Sequence, residues 1–240
     1  MDEEKKQKAS IFINVMLIFC FSFFIISFST SLVIWIRPFY YNLHLKNIDI
    51  DRLEFKAGKL NYDELKYAYD ELLDFLTYSS HFGIGKLQIS ESAKDHFYDV
   101  KLLFIINFVI LALSFSFISI SFVLKYHLKF NIDILKFWFI ASILIIVFFI
   151  VLLVSMAINF DKTFEIFHLI LFRGKTNWRF NYNNDEIIKI LREDYFRNCA
   201  IFIGSTSFAL CLSSIISVLV KRLLKIKLIN IYKSNLIYIC

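Results

Sequence analysis

Four stretches of the chain carry no charged side chain: Ala9–Ile36, Leu102–Leu124, Phe137–Phe160 and Asn198–Val220. Each exceeds the roughly 20 residues that cross about 30 Å of hydrocarbon at a rise of about 1.5 Å per residue. A backbone in lipid must satisfy its own hydrogen bonds, so these runs predict four helical spans, at about 10–36, 102–124, 137–160 and 198–220. The intervening polar segments 37–101 and 161–197 read as mainly helical, and the whole of 1–240 as one membrane domain of the all-α class.

Within the first polar segment, Asn61 and Glu64 have the spacing of a capping box. Leu65, Tyr69, Leu72, Leu73 and Leu76 then recur at helical period, which predicts a helix over about 62–78. A second helix is expected to start near Ser90 or Ser92 and run unbroken into the second span. After the third span, the stretch 160–172 surrounds His168 with apolar side chains but is too short to recross a bilayer, so it is expected in the interface. Residues 179–185 read as a loop, and Glu186 to Arg197 as a surface helix leading into the fourth span. Trp178 and the tyrosines of the polar segments suit the aromatic belt at a membrane surface.

Composition supports the same class. Hydrophobic residues make up 58% of the 240, and Phe occurs 29 times, more apolar area than a soluble surface can hide. A basic start before an apolar run also describes a secretory signal, and Ser27-Phe28-Ser29 is a weak cleavage-site match. The run continues through Leu32, Val33, Ile34 and Ile36, so a permanent span is expected. The four cysteines, Cys20, Cys199, Cys211 and Cys240, form no visible disulfide framework.

Charge suggests an orientation. Lys5, Lys6 and Lys8 precede the first span, Lys125, Lys129 and Lys136 join the second to the third, and Lys221, Arg222, Lys225, Lys227 and Lys233 follow the fourth. Lys and Arg in short segments stay cytoplasmic, which places both termini inside. The segment 37–101, with nine basic and eleven acidic residues, is expected outside; 161–197, with seven and six, disagrees mildly. The basic tail reads as a positive topology anchor, or as an interfacial helix drawn to anionic lipid.

Two histidines are candidates for chemistry. His96 stands three residues from Asp99 on one helix face at the headgroup layer, where a carboxylate can orient an imidazole or raise its basicity. His168 is an ionisable group isolated among apolar neighbours. Each also has a bland reading, as a polar residue at a wet boundary or a satisfied structural histidine. Cys199 is a weaker candidate nucleophile. The sequence contains no Gly-x-Ser-x-Gly elbow, phosphate-binding glycine loop or Cys/His metal spacing.

The string His96-Phe97-Tyr98-Asp99-Val100-Lys101 enters the second span, and Phe160-Asp161-x-x-Phe164-x-x-Phe167-His168-x-x-x-Phe172 follows the third. Trp178-x-Phe180-Asn181-x-x-x-Asp185-x-Ile187-Ile188-x-x-Leu191-x-x-x-Tyr195-Phe196 comes next. These blocks, within this layout of spans, resemble the lipoprotein intramolecular transacylase family, Lit. Phe97, Arg192 and Tyr195 depart from its pattern, as does the absence of an Asn-Asp pair near Gly174-Lys175; neither histidine is lost.

The resemblance implies an acyltransferase of the bacterial cell membrane that moves the sn-2 acyl chain of a diacylglyceryl-cysteine to the α-amino group of that cysteine, giving the lyso form. It implies His96 and His168 as the catalytic pair; the order of the spans returns both to the outer interface, where one shared site is expected, and the chemistry and ligand spacing call for no cofactor and no metal. Asp99, Asp161, Phe164 and Trp178 are the candidate supporting or substrate-binding residues. Diacylglyceryl lipoproteins and membrane lipids are the expected partners, and nucleic acid is not. Which histidine is base, and whether one is transiently acylated, stays open, as do two competing classes: another interfacial lipid hydrolase or acyltransferase, and a non-catalytic protein that binds lipid or a partner.

Overall fold

The computed structural model describes residues 2–237, with side chains to Ile229. Cys240 lies outside the described residues, as does the side chain of Lys233. Seven α-helices occur among the described residues: α1 (Glu3–Trp35), α2 (Arg37–Leu43), α3 (Tyr62–Thr77), α4 (Glu91–Tyr126), α5 (Ile134–Ile158), α6 (Phe160–Leu171) and α7 (Glu193–Ile237). Four of them, α1, α4, α5 and α7, are long and apolar enough to cross a membrane. Their exposed faces carry Phe12, Phe19, Val109, Leu113, Val147 and Val151, the apolar surface a lipid solvent requires.

The chain divides into two compact units, one of residues 1–26, 111–150 and 205–240, the other of 27–110 and 151–204. In the first, Leu17, Phe21, Ile132, Ile134 and Ala141 form one core cluster, and Ile25, Ile145 and Cys211 another. Polar groups fix the link between α4 and α5 onto α1. Asn14 donates through Nδ2 to the Asn131 carbonyl (3.1 Å) and accepts from the Asp133 amide (3.1 Å), while Ser10 Oγ accepts from the Asn131 amide (3.2 Å). Ser214 donates to Ser142 at 2.7 Å, a hydrogen bond between helices of the kind that substitutes for hydrophobic drive in membranes.

The second unit holds the larger core. Helix α3 starts where the spacing predicts: Asn61 Oδ1 accepts from the Glu64 amide and Glu64 Oε2 from the Asn61 amide. Its buried stripe, Leu65, Ala68, Tyr69, Leu72, Leu73, Phe75 and Leu76, packs with Tyr40 and Leu45. The Tyr40 and Tyr69 rings stack at 3.6 Å, and Arg37, at the start of α2, pairs with Asp70 (2.9 Å) and with Asp74. Asn107 donates to Ser31 Oγ (2.9 Å), joining the parts of α4 and α1 in this unit.

The segment 186–197 differs from its expected single helix. A short 3₁₀ turn covers Glu186–Lys189, and α7 begins afresh at Glu193. The cause is a set of buried polar bonds. Glu186, with no solvent exposure, accepts from the backbone amides of Lys56 (2.7 Å) and Gln88 (2.8 Å), and its own amide donates to the Gln88 carbonyl (2.9 Å). Asp185 accepts from the amides of Ser90 (2.8 Å) and Asn181 (2.7 Å). The Ile190 carbonyl accepts from Tyr40 Oη and His44 Nε2, both at 3.0 Å. A continuous helix would have turned these groups away from their partners.

Glu186 also lies 3.6 Å from the Lys189 ammonium, which donates to the Glu54 carbonyl. Glu186→Ala would leave two buried amides and an ammonium short of partners, so it should destabilise the fold by about 3–5 kcal/mol. Thermal unfolding in nanodiscs checks this: an unfolding midpoint unchanged from the parent protein would show that the hub is dispensable.

Candidate active site

His96 and His168 come from the two segments that the sequence singles out. Helix α4 starts at Glu91, with Ser90 Oγ accepting from the Ala93 amide, and places His96 in its second turn, before the uncharged run 102–124. Helix α5 ends at Ile158. Asn159 turns the chain with an extended backbone and caps α6, its side chain accepting from the Lys162 amide at 2.8 Å. That break sets Phe164, His168 and Phe172, four residues apart, along one side of α6 and its C-terminal turn.

The imidazoles face each other with centroids 6.0 Å apart, and both side chains are buried, 6% and 7% exposed. Aromatic rings enclose them. Phe164 (4.1 Å), Trp178 (4.6 Å), Phe167 and Phe172 (both 5.5 Å) surround His168, while Phe172 (4.6 Å), Phe180 (5.5 Å) and Phe97 (5.9 Å) surround His96.

The two rings differ in their hydrogen bonds. His168 Nδ1 lies 2.7 Å from the Phe164 carbonyl, a group that can only accept, so Nδ1 carries the proton and Nε2 keeps a lone pair. His96 Nδ1 is buried without a hydrogen-bond partner, so that ring nitrogen is not committed to any protein group. Burial lowers the pKa of both. His96 is pushed down to about 4 by desolvation, with the neighbouring His168 and Lys175 adding to the effect and Asp99 opposing it. For His168, desolvation outweighs the bond to Phe164.

Among the candidate supporting residues, Phe164 and Trp178 lie directly on His168, where Trp178 acts as a wall of the site in addition to any interfacial role. Asp99 shares the face of His96 but hydrogen-bonds elsewhere: it accepts from Lys175 Nζ (2.7 and 2.9 Å) and from Asn177 Nδ2 (3.1 Å). Burial acts to raise the Asp99 carboxyl, and these donors outweigh it and hold it below its ordinary value. Asp99 thus ties down the loop that brings Trp178 to His168. Asp161 is exposed in the first turn of α6, where its charge complements the helix dipole; no described contact joins it to either histidine.

The loop itself is set by α6's end. The Phe172 amide donates to the His168 carbonyl and the Gly174 amide to the Leu169 carbonyl, both at 2.9 Å. Arg173 and Gly174 take positive φ of 53° and 77°; open space surrounds Gly174, so its need for glycine is conformational. Phe172, Phe180, Lys175 and Asn177 were not singled out as site residues from sequence. Phe172 and Phe180 do stand in the recognised strings, whereas Lys175 and Asn177 sit in a loop without periodicity. No group of three or more His, Cys, Asp or Glu side chains able to hold a metal occurs among the described residues.

Residues 15–196 match the family model of the lipoprotein intramolecular transacylase Lit. Among solved structures, the membrane-integral Lit from Bacillus cereus is similar at TM-score 0.77 and 27% identity, over 92% of this chain and 99% of that one. Two variants of the Bacillus cereus protein with a histidine replaced also match. The arginine variant gives TM-score 0.70 and 25% identity, over 93% of this chain and 95% of that one; the alanine variant gives 0.72 and 26%, over 92% and 96%. Comparison with curated proteins gives no match.

A histidine whose pKa is lowered stays neutral below its ordinary value near 6.5, and an unfolded chain binds that proton first. Stability from this source is present above about pH 6.5 and is lost as pH falls toward about 4. Nitrogen NMR of histidine-labelled protein should therefore show the His96 imidazole neutral at pH 6, and His168 titrating below its ordinary value, with its neutral form the Nδ1–H tautomer. A charged His96 ring at pH 6, or a His168 that titrates at or above its ordinary value, would contradict this account.

Proposed function

We propose that this chain, which belongs to the lipoprotein intramolecular transacylase family, Lit, and is a multi-pass membrane acyltransferase, uses His96 and His168 to move the sn-2 acyl chain of a diacylglyceryl-cysteine onto that cysteine's α-amino group. The observation that carries the residue assignment is the buried imidazole pair at 6.0 Å, spacing that lets one substrate group reach both rings.

The chemistry needs little beyond positioning and proton transfer. An ester is exchanged for a more stable amide within one molecule, so the reaction takes no donor cofactor. The amine must attack as the free base, and an α-amino group has a pKa of about 8, so a neutral base beside it is useful. His168 suits that role: with Nδ1–H held by Phe164, Nε2 takes the amine's proton as the C–N bond forms and returns it to the glycerol oxygen as the C–O bond breaks. His96, neutral and with a ring nitrogen free of protein partners, offers an N–H to the tetrahedral oxyanion. A neutral donor is the better match here, since it does not hold the entering amine's proton in competition with His168.

The enclosing rings exclude water, which favours transfer to nitrogen over hydrolysis. Ile166, Phe167 and Ile170 on α6 are exposed, an apolar surface suited to acyl chains and to the membrane interface. In this reading the site faces the outer leaflet of the bacterial cell membrane, both termini are cytoplasmic, and the substrate is a membrane-anchored lipoprotein.

His96→Ala and His168→Ala should each reduce transacylation by at least about 100-fold while leaving the protein folded. Mass spectrometry of lipoprotein N-termini reads this directly. Full activity in either variant removes that residue from the mechanism, and release of free fatty acid by the parent protein marks a hydrolase instead. For the orientation, reporter fusions near residues 70 and 180 should read outside and one near 130 inside; an inside signal at 70 overturns the scheme.

A further inference from the structure

A polar groove of about 520 Å³, within the range of small-ligand clefts, is lined by the first turns of α4 and by the loop that follows α6. One wall is the outer face of α4, with Ser92, Asp95 and Asp99, and the other is the loop from Lys175 to Asn177. Asp95 and Asp99 bracket His96 on its helix, and Asn177 immediately precedes the Trp178 that covers His168. The groove is thus lined by the helix that carries His96 and by the loop that leads to Trp178.

Its charges are not all spent internally. Lys175 and Asn177 Nδ2 satisfy Asp99, but Asp95 is exposed and has no described partner, so the groove carries one uncompensated negative charge. A cation is the charge that Asp95 lacks.

We propose that this groove receives the peptide that follows the acylated cysteine, and that Asp95 gives the enzyme a preference for a basic residue in the first positions after it. This rests on the transacylase reading of the histidine pair. The substrate leaves the reacting carbon in two chemically opposite directions: acyl chains run toward apolar surface such as the exposed side of α6, and the peptide must continue from the α-amine into a polar channel. The aromatic rings around the pair refuse a hydrated peptide, whereas the polar lining of this groove suits one.

Synthetic diacylglyceryl lipopeptides of one lipid composition, with Lys, Ser or Asp at the residue after cysteine, test the proposal when converted by the full-length enzyme in nanodiscs and read by mass spectrometry. The kcat/KM for the Lys peptide should exceed that for the Asp peptide by about 2- to 10-fold at low salt, an advantage that shrinks as salt is added. Asp95→Asn should flatten the ratio and Asp95→Lys invert it, whereas a control charge reversal at Lys46, exposed and not part of the groove lining, should leave it unchanged. Equal ratios in the parent and Asp95→Lys proteins overturn the groove assignment while leaving the transacylase reading intact. If the parent converts none of the three peptides, that reading fails and takes the groove with it.

Discussion

The Glu186 carboxylate has no contact with solvent and must find hydrogen-bond donors inside the protein. It takes them from the backbone of Lys56 and Gln88, while its neighbour Asp185 takes the amides of Ser90 and Asn181. Two adjacent acids therefore bind three separate strips of chain. One strip ends at Ser90, a residue before α4 begins, and another starts at Asn181, a residue after the Phe180 that covers His96. The direction in which α4 leaves this junction, and hence the placement of His96, follows from polar groups that have no other way to be satisfied.

From that anchored end, the site is built by aromatic packing. Phe172 touches both imidazoles, at 4.6 and 5.5 Å, and Trp178 closes over His168. The rings exclude water and so account for the lowered basicity of both histidines, while the Asp99–Lys175 pair holds the covering loop from its polar side. Burial and loop fixation are thus coupled: the same loop that brings Trp178 inward supplies Lys175, whose charge adds to the shift at His96.

Much of this was legible in the sequence. Uncharged runs marked the four long helices because a lipid solvent admits few charges, and the Asn61/Glu64 box placed the start of α3 to the residue, since capping is local chemistry. His96 and His168 were found through recognised strings and an isolated ionisable group. What the pattern could not supply was the partner of each polar side chain. Asp99 has the helical spacing to serve His96 but is claimed by Lys175, 76 residues away. Periodicity in 187–196 suggested a helix, yet the buried bonds of Asp185, Glu186 and the Ile190 carbonyl break it. His44, buried and bonded to Ile190, gave no sequence signal at all. Long-range polar pairing is decided by tertiary structure, and a single chain read in order does not contain it in visible form.

The bond from His168 Nδ1 to the Phe164 carbonyl joins a side chain to the backbone of its own helix, one turn back. It is set by the geometry of one helix turn. While it holds, one nitrogen of the ring is occupied, and the imidazole cannot pass a proton in on one side and out on the other, as a relay through two nitrogens would. In the proposed reaction any proton it accepts at Nε2 must leave by the same atom, to a group that has come to stand where the donor stood. Behind a wall of aromatic rings, this makes the proton a captive of the reacting pair. In the proposed reaction the hydrogen that leaves the amine is the one delivered to the new glycerol hydroxyl.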